Sequence, residues 1–198
     1  LADVDPDQLM FNHDTSELVS INLFTTVEFT QECRDNSLQL HRGVLLEGKY
    51  GTGKTLAATV LAKKCEDNGW TFIYLEEIQD LALALNFAKD YSPAIVFAED
   101  VDRIMSGTRD SDMDKILNTI SGVNTKDMEI MLVLTTNFVE NVNQALLRPG
   151  RLDAVISIDP PDANTAQRLI KMYARGLLTE DTDLELAGER LAGNIPAV

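Results

Sequence analysis

The sequence of 198 residues contains few of the residues that form metal centres and disulfides. It has two cysteines and two histidines, and neither Cys33 nor Cys65 belongs to a CxxC pair, so no zinc-binding spacing exists. Cys65 continues the apolar face of a predicted helix, which favours a buried free thiol. This sparse use of cysteine is typical of a reducing compartment, and we expect a cytoplasmic protein.

Long hydrophobic runs and an excess of positive charge are also missing. No apolar stretch approaches the roughly 18 residues of a membrane-spanning helix, and the first ten residues carry three Asp and no basic residue, unlike a signal peptide. With 32 acidic against 17 basic residues, the formal net charge is −15. Such a chain repels the phosphates of nucleic acids, so we expect a protein partner rather than nucleic acid or a membrane.

Short apolar runs alternate with amphipathic segments from residue 43 onward. This alternation predicts a parallel sheet with crossover helices. The predicted strands are 44–47, 71–75, 94–98, 130–135 and 154–158. The predicted helices are 54–67, 77–89, 112–120, 143–147, 163–175 and 184–191. We expect Gly69 to end the first of these helices and Asp162 to cap the fifth.

The pattern divides the chain into two parts. Residues 1–161 are predicted to form an α/β domain, in which residues 1–20 are an irregular lead-in and residues 16–34 hold either a strand or a helix. Residues 162–198 are predicted to begin a helical subdomain. Because the first residue is Leu rather than Met and the helical part is short, we expect a fragment with a truncated helical subdomain.

Residues 48–55 match the phosphate-loop pattern GxxxxGK[ST] between a predicted strand and a predicted helix. The glycines let backbone N–H groups surround phosphate oxygens, and the helix N-terminus adds the positive end of its dipole. Lys54 would reach the β- and γ-phosphates, and the hydroxyl of Thr55 would bind Mg²⁺. ATP and Mg²⁺ are therefore the expected cofactors. The expected nucleotide contacts are Gly48, Lys49, Tyr50, Gly51, Thr52, Gly53, Lys54, Thr55 and Leu56.

Carboxylates follow the predicted strand 94–98. Beside a phosphate loop, one carboxylate holds the Mg²⁺ shell and its neighbour polarises the attacking water. The usual order is Asp and then Glu, but here Glu99 takes the metal side and Asp100 the water side. Asp100 is one methylene shorter than Glu, and a displacement of about an ångström can cost on the order of a hundredfold in rate. Slowed hydrolysis is therefore a hypothesis.

Polar residues also follow the predicted strand 130–135. Asn137 falls next to the acidic pair if the strands are neighbours, where it could orient the water; a turn residue that caps the strand is the alternative. Arg148 and Arg151 flank a Pro-Gly turn. They could be surface charges, or arginines that reach a phosphate with a planar, permanently charged fork.

Residues 42–55, 93–102, 135–137 and 145–153 together resemble the AAA family of the AAA+ ATPases in order and spacing. The resemblance implies an α/β fold, the three-layer α/β/α P-loop NTPase fold, with a parallel five-stranded sheet in the order 5-1-4-3-2 and a helical lid after it. It also implies a homo-oligomeric ring, usually a hexamer. Several blocks of sequence further resemble AAA proteins encoded by bacteriophages.

The resemblance assigns roles to three residues. Asn137 matches the sensor 1 position. Arg148 and Arg151 match the arginine fingers that reach the γ-phosphate of the neighbouring subunit, so hydrolysis would be completed in trans. Two residues depart from the family pattern, because Lys49 and Tyr50 stand where the family usually has Pro-Pro.

A further departure follows the second predicted strand, where threading members of the family carry an aromatic pore loop. Residues 76–92 are too few for that loop and a helix, and they contain no glycine. Residues 106–112 are a second candidate pore segment or a plain surface loop. We expect four apolar side chains of the helix 77–89 to lie in the core rather than in a pore: Leu81, Leu83, Leu85 and Phe87.

Three functions remain open on the sequence. The first is an ATPase module of a ring that hydrolyses Mg·ATP and remodels a macromolecular partner without aromatic pore-loop threading. The second is a nucleotide-responsive assembly switch or scaffold with slow hydrolysis, which the swapped carboxylates and the missing pore loop favour. The third is a small-molecule kinase, to which the trans arginines give no support.

Overall fold

The computed structural model describes residues 4–102, 128–142, 151–179 and 181–196. Within these ranges the strands are β1 (Arg42–Glu47), β2 (Thr71–Leu75), β3 (Ala94–Ala98), β4 (Ile130–Thr136) and β5 (Ala154–Ser157). The helices are α1 (His13–Val19), α2 (Thr25–Glu28), α3 (Thr30–Asp35), α4 (Lys54–Asn68), α5 (Leu81–Asp90), α6 (Ala163–Ala174) and α7 (Leu184–Leu191). A π-helical turn joins α1 to α2 (Ser20–Phe24), and 3₁₀ turns occur at Pro6–Gln8, Ile78–Asp80 and Val139–Asn141.

The five strands form one parallel sheet in the order β2-β3-β4-β1-β5. This order confirms the predicted α/β fold and the arrangement 5-1-4-3-2. The central strands β3 and β4 are buried along their whole length, as expected for a parallel sheet that is covered on both faces. In the sheet, Glu47 pairs with Thr136 and Ala98 with Leu134. The carboxyl ends of β1, β3 and β4 therefore meet at one edge.

Successive side chains of β1, β3 and β4 enter two different cores, because they alternate between the faces of the sheet. On one face, Val96 and Leu132 belong to a buried cluster with Leu85 of α5. On the other face, the neighbouring residues of β3 and β4 belong to a cluster with Leu61 of α4 and Leu23 of the N-terminal helices. The result is a three-layer α/β/α arrangement.

The prediction of an irregular lead-in over residues 1–20 is wrong from residue 13 onward, because α1 begins at His13. The segment 16–34, for which strand and helix were both open, is helical. The buried side chains Thr15, Val19, Leu23 and Val27 recur every fourth residue, which places them on one face of a helix. Apolar residues on the opposite face obscured this pattern in the sequence, since Ile21 is 60% exposed.

The prediction that all four apolar side chains of α5 lie in the core is only half correct. Leu81 and Leu85 are buried, but Leu83 is 70% and Phe87 is 52% exposed. Residues two apart on a helix point in different directions, so a helix that buries Leu81 and Leu85 turns Leu83 outward. The ring of Phe87 packs instead on Tyr91, with the ring centroids 4.5 Å apart.

The structure confirms the predicted ends of two helices. Gly69 ends α4 with a φ of 72°, and its N–H donates to the carbonyl of Cys65. Asp162 caps α6, because its carboxylate accepts a hydrogen bond of 2.7 Å from the backbone N–H of Thr165. The thiol of Cys65 is fully buried, as predicted, and burial raises its pKa to about 12.

The two C-terminal helices pack closely on each other. A Cβ at Gly188 of α7 would lie 2.5 Å from the carbonyl oxygen of Ala163 in α6, so only glycine allows this approach. The domain boundary at residue 161 stays a prediction. The predicted helices 112–120 and 143–147 and the candidate pore segment 106–112 lie outside the described residues. None of the helices in the described ranges has the length and apolar character needed to cross a membrane.

The cap of α6 predicts a pH-dependent contribution to stability. The hydrogen bond from Thr165 holds the pKa of Asp162 below its ordinary value. A lowered pKa means that the carboxylate stabilises the fold above its ordinary pKa and that this contribution is lost as the pH falls through the lowered value. We expect Asp162→Ala to cost about 1 kcal/mol at pH 7, measured by urea unfolding.

Asp162→Asn is the matched control for this prediction. Asparagine caps a helix at every pH, because its side chain does not titrate. The free energy of unfolding of the wild type should therefore fall more between pH 5 and pH 3 than that of Asp162→Asn. Equal stability of the wild type and Asp162→Ala at pH 7 would contradict the assignment of the cap.

Candidate functional site

The loop after β1 has the backbone conformation of an anion cradle. Gly48, Gly51 and Gly53 have φ values of 154°, 78° and 105°, which side chains with a Cβ rarely adopt. A Cβ at Gly48 would also lie 2.4 Å from the carbonyl oxygen of Ile158. α4 begins directly after Gly53, and no described side chain caps this N-terminus. Its first N–H groups are therefore suited to an anion.

Lys54 is held inside this loop. Its side chain is buried, and Nζ donates hydrogen bonds of 2.6 Å to the carbonyl of Gly48 and 2.9 Å to that of Lys49. Burial lowers the pKa of Lys54, while the negative charges of Asp100, Asp102 and Glu99 act in the opposite direction. The ammonium group thus lies between the cradle and a set of carboxylates.

Two hydroxyl groups hold Glu99 at the end of β3. The hydroxyl of Thr55 donates a short hydrogen bond to Oε1 of Glu99, and the hydroxyl of Tyr74 donates one of 3.1 Å to Oε2. Burial and the charge of Glu99 raise the pKa of Tyr74, so the phenol keeps its proton at neutral pH. Sequence analysis paired Thr55 with Glu99 through a metal, but it missed Tyr74.

Asp100 and Asn137 lie side by side, as expected if their strands are neighbours, and β3 does pair with β4. The side-chain amide of Asn137 donates a hydrogen bond of 2.5 Å to Oδ1 of Asp100. The backbone N–H of Asp100 donates to the hydroxyl of Thr135 at 3.1 Å. Asp100 has a φ of 49°, a left-handed conformation that Asp tolerates better than most residues. Asn137 is therefore more than a turn residue at the end of β4.

Asp102 is a buried part of this network that sequence analysis did not select. Its Oδ1 accepts a hydrogen bond of 2.7 Å from the hydroxyl of Thr136 and one of 3.1 Å from the backbone N–H of Asn137. The carboxylate therefore fixes the backbone from which the side chain of Asn137 reaches Asp100. The signal in the sequence was only one more acid after the strand, which periodicity does not distinguish from a solvated one.

A cleft of about 390 Å³ opens above the phosphate loop. Its polar floor includes Lys54, Glu99 and Asn137. The predicted contacts that line it are Tyr50, Gly51, Thr52, Gly53, Lys54, Thr55 and Leu56. Gly48 and Lys49 form the part of the loop whose carbonyls hold Lys54. The volume is within the range of small-molecule sites.

The walls of the cleft come from both ends of the chain, which sequence analysis did not foresee. The N-terminal segment supplies Leu9 and Phe11, and the helical part supplies Leu169, Tyr173 and Pro196. The side chain of Asn12 fixes this arrangement: its amide donates to the carbonyl of Pro160, and its oxygen accepts from the N–H of Asp162. Since residues 1–20 showed no motif, only the fold could identify their role.

The residues present fit a bound Mg·nucleotide. The positive φ glycines leave room for phosphate oxygens beside Lys54, and the apolar walls suit a flat base. The hydroxyl of Thr55 and the carboxylate of Glu99 meet at the entrance of α4. One hydroxyl and one carboxylate are a donor set that suits Mg²⁺, which takes few protein ligands and completes its shell with phosphates and water.

Of the two predicted arginines, the structure describes Arg151, and it does not place this residue at the cleft. The backbone of Arg151 lies at the other end of β1, because a Cβ at Gly43 would be 2.9 Å from its carbonyl oxygen. β1 rises by about 3.3 Å per residue, so Arg151 starts roughly 16 Å from the phosphate loop of its own chain. Arg148 lies outside the described residues.

Comparison with known proteins agrees with this geometry. The model of the family described as "ATPase family associated with various cellular activities (AAA)" matches residues 44–160, more than half of the chain. The chain is 30% identical over 163 residues to the 26S proteasome regulatory subunit 4 homolog of Schizosaccharomyces pombe, covering 73% of this chain and 36% of that protein.

A second group of relatives is of another kind. The chain is 32% identical over 181 residues to the ATP-dependent zinc metalloprotease FtsH of Thermus thermophilus, covering 80% of this chain and 28% of that protein. The chain thus spans about a third of the length of the curated relatives that it matches. These relatives give no support to the resemblance to bacteriophage-encoded proteins.

The buried position of Asp102 predicts a large effect of its removal. Asp102→Ala leaves the hydroxyl of Thr136 and the N–H of Asn137 without their acceptor, and a buried unsatisfied group costs about 1–3 kcal/mol. We expect a loss of about 2 kcal/mol in the free energy of urea unfolding. Asp102→Asn keeps one acceptor oxygen and should lose less; an equal loss in both variants would show that the charge rather than the hydrogen bonds matters.

Proposed function

The chain belongs to the AAA family of ATPases, and from this premise we propose that it is an ATPase module that binds and hydrolyses Mg·ATP, assembles into a ring and remodels a protein partner. One observation carries the proposal: the strand ends bring Lys54, Thr55, Glu99, Asp100 and Asn137 together on the floor of one cleft. The relatives named as proteasome regulatory subunits and ATP-dependent proteases support a protein as the partner.

Phosphate binding falls to the loop 48–55 and the start of α4. The backbone N–H groups turned inward by the glycines donate to phosphate oxygens, and Lys54 adds a positive charge. The Lys54 ammonium donates to two carbonyls of the same loop, so it is held ready where the β- and γ-phosphates would lie. Because Lys54 is buried, few water molecules compete with a phosphate for its ammonium group.

Thr55 and Glu99 are the residues that would hold Mg²⁺. When bound, the ion supplies positive charge that neutralises the phosphates and the charge that develops on them. The chain contributes the orientation of the two ligands, since Thr55 opens a rigid helix and the carboxylate of Glu99 is held by two hydroxyl groups. Both side chains are therefore positioned before a nucleotide arrives.

Asp100 and Asn137 are proposed to position the attacking water. The amide of Asn137 donates to Oδ1 of the Asp100 carboxylate and so orients the group that would accept a proton from water. Asp102 and Thr136 hold the backbone of Asn137 in place. Asn137, held in this way, fixes the orientation of the Asp100 carboxylate.

Arg148 and Arg151 are proposed to act on the nucleotide of a neighbouring subunit. Arg151 lies at the end of β1 opposite to the phosphate loop, too far to serve the cleft of its own chain. An arginine in that place can stabilise phosphate charge only in trans, which links hydrolysis to assembly. The hexameric state, the ring and the cytoplasmic location stay predictions.

The absence of aromatic pore-loop threading belongs to the same proposal. The residues between β2 and β3 are used by a 3₁₀ turn and by α5, and Leu81 and Leu85 anchor that helix in the core.

The second candidate function, an assembly switch with slow hydrolysis, is favoured by the order Glu99-Asp100. A switch would bind ATP and assemble with little turnover.

A dilution series tests hydrolysis in trans. Specific ATPase activity should rise with protein concentration, because each active site needs an arginine of its neighbour. We expect Lys54→Ala to lose nucleotide binding and activity, and Arg151→Ala to keep nucleotide binding but lose more than tenfold in activity, as for other residues that stabilise phosphate charge. ATP-dependent light scattering with little turnover would favour the switch instead. Activity that is independent of concentration would contradict the trans mechanism.

The order of the two carboxylates predicts a slower chemical step. If Asp100 is too short for the water that it polarises, Asp100→Glu should raise the single-turnover rate, by up to on the order of a hundredfold. Asp90→Glu, which makes the same change at the end of α5 outside the site, is the matched control and should leave the rate unchanged. A rate for Asp100→Glu below that of the wild type would show that the short side chain is no compromise.

A further inference from the structure

Tyr74 reaches the candidate metal site from a strand to which no role has been assigned. It lies in β2, where it pairs with Phe97 of β3, and the next pair is Leu75 with Ala98. β2 is one of the two edge strands of the five-stranded sheet, and Tyr74 is half exposed. Its hydroxyl extends past the end of β3 to Oε2 of Glu99, at 3.1 Å.

The ring of Tyr74 is oriented by its neighbour on β3. The rings of Tyr74 and Phe97 are 5.8 Å apart between centroids and tilted by 46°, a distance at which aromatic side chains attract each other. Phe97 is buried, and so it gives Tyr74 a fixed surface to pack against. The packing of the ring on Phe97 therefore directs the hydroxyl toward Glu99, and this packing would persist if the hydroxyl were removed.

Glu99 has a reason to need such a partner. A Glu on the metal side has one more rotatable bond than an Asp, so more side-chain entropy is lost when its carboxylate is fixed. Hydrogen bonds at both oxygens, from Thr55 to Oε1 and from Tyr74 to Oε2, restrict this freedom. With Oε2 bound by Tyr74, Oε1 stays directed toward Thr55, where Mg²⁺ would bind.

We propose that Tyr74 is a positioning residue that holds Glu99 in the orientation for Mg²⁺ and so sets the affinity of the nucleotide complex for the ion. The inference rests on the proposed function, because it needs Mg·nucleotide binding in the cleft. Residues that orient a metal ligand through a hydrogen bond commonly change metal affinity when they are replaced.

Tyr74→Phe tests the hydroxyl alone, since it keeps the ring that packs on Phe97. The experiment titrates Mg²⁺ into the protein with a fluorescent ATP analogue and measures the apparent Mg²⁺ affinity of the complex. We expect the affinity for Mg²⁺ to fall about three- to tenfold, which is below the roughly 10- to 100-fold usual for such a residue because the tyrosine is half exposed. Binding of the analogue in EDTA and the Tm should stay as in the wild type.

Two further variants separate positioning from a merely structural role. Tyr91→Phe is the matched control, because Tyr91 is also half exposed and stacked on a phenylalanine, but on α5; it should leave the Mg²⁺ affinity unchanged. Glu99→Gln should by itself lower the apparent Mg²⁺ affinity. Adding Tyr74→Phe to this variant should lower the affinity little further, since the effects of coupled residues are not additive.

The possible results distinguish this inference from the proposed function. If the wild type binds the analogue in a Mg²⁺-dependent manner and Tyr74→Phe has the same Mg²⁺ affinity, the role of Tyr74 is refuted and the proposed function stands. If Tyr74→Phe weakens binding equally with and without Mg²⁺, the tyrosine shapes the nucleotide cleft and does not position Glu99. If the wild type shows no Mg²⁺-dependent binding, both proposals fail.

Discussion

The parallel pairing of β4 between β1 and β3 is the constraint on which the site depends. Hydrogen bonds hold Leu46 of β1 opposite Thr135 and Ala98 of β3 opposite Leu134, so three strands end at one edge. α4 and α5 cover the two faces of this sheet, and burial on both faces fixes its register. The phosphate loop, the carboxylates and Asn137 are placed by this register before they contact one another.

The same edge collects charge of both signs in a chain with a net charge of −15. Carboxylates beside a phosphate site repel an anionic ligand. Here Asp102 is bound by two donors, and Glu99 by two hydroxyl groups. These hydrogen bonds hold the two carboxylates in fixed directions beside the loop. Lys54 and the inward N–H groups are then the groups of this cleft that suit an anion.

The cleft also joins parts of the chain that are distant in sequence. Phe11 packs against Gly53 of the phosphate loop, and Asn12 is hydrogen-bonded to both Pro160 and Asp162, where β5 gives way to α6. A nucleotide in the cleft would touch the N-terminal segment, the sheet and the helical part at once. The cleft is therefore formed only where these three parts of the chain meet.

The sequence by itself determined the strands, the phosphate loop and the polar residues after β3 and β4, because short-range patterns encode them: apolar runs, glycines and a lysine at fixed spacing. The order of the strands followed only from the resemblance to the AAA family. Only the tertiary structure decided the contacts of Tyr74, Asp102 and Phe11, since each contacts a partner at least 25 residues away. It also decided which apolar side chains of α5 are buried, because composition gives no orientation to a short helix rich in leucine and alanine. Hydrogen bonds between distant strands leave no periodic signal, and therefore the site had to be completed by the fold.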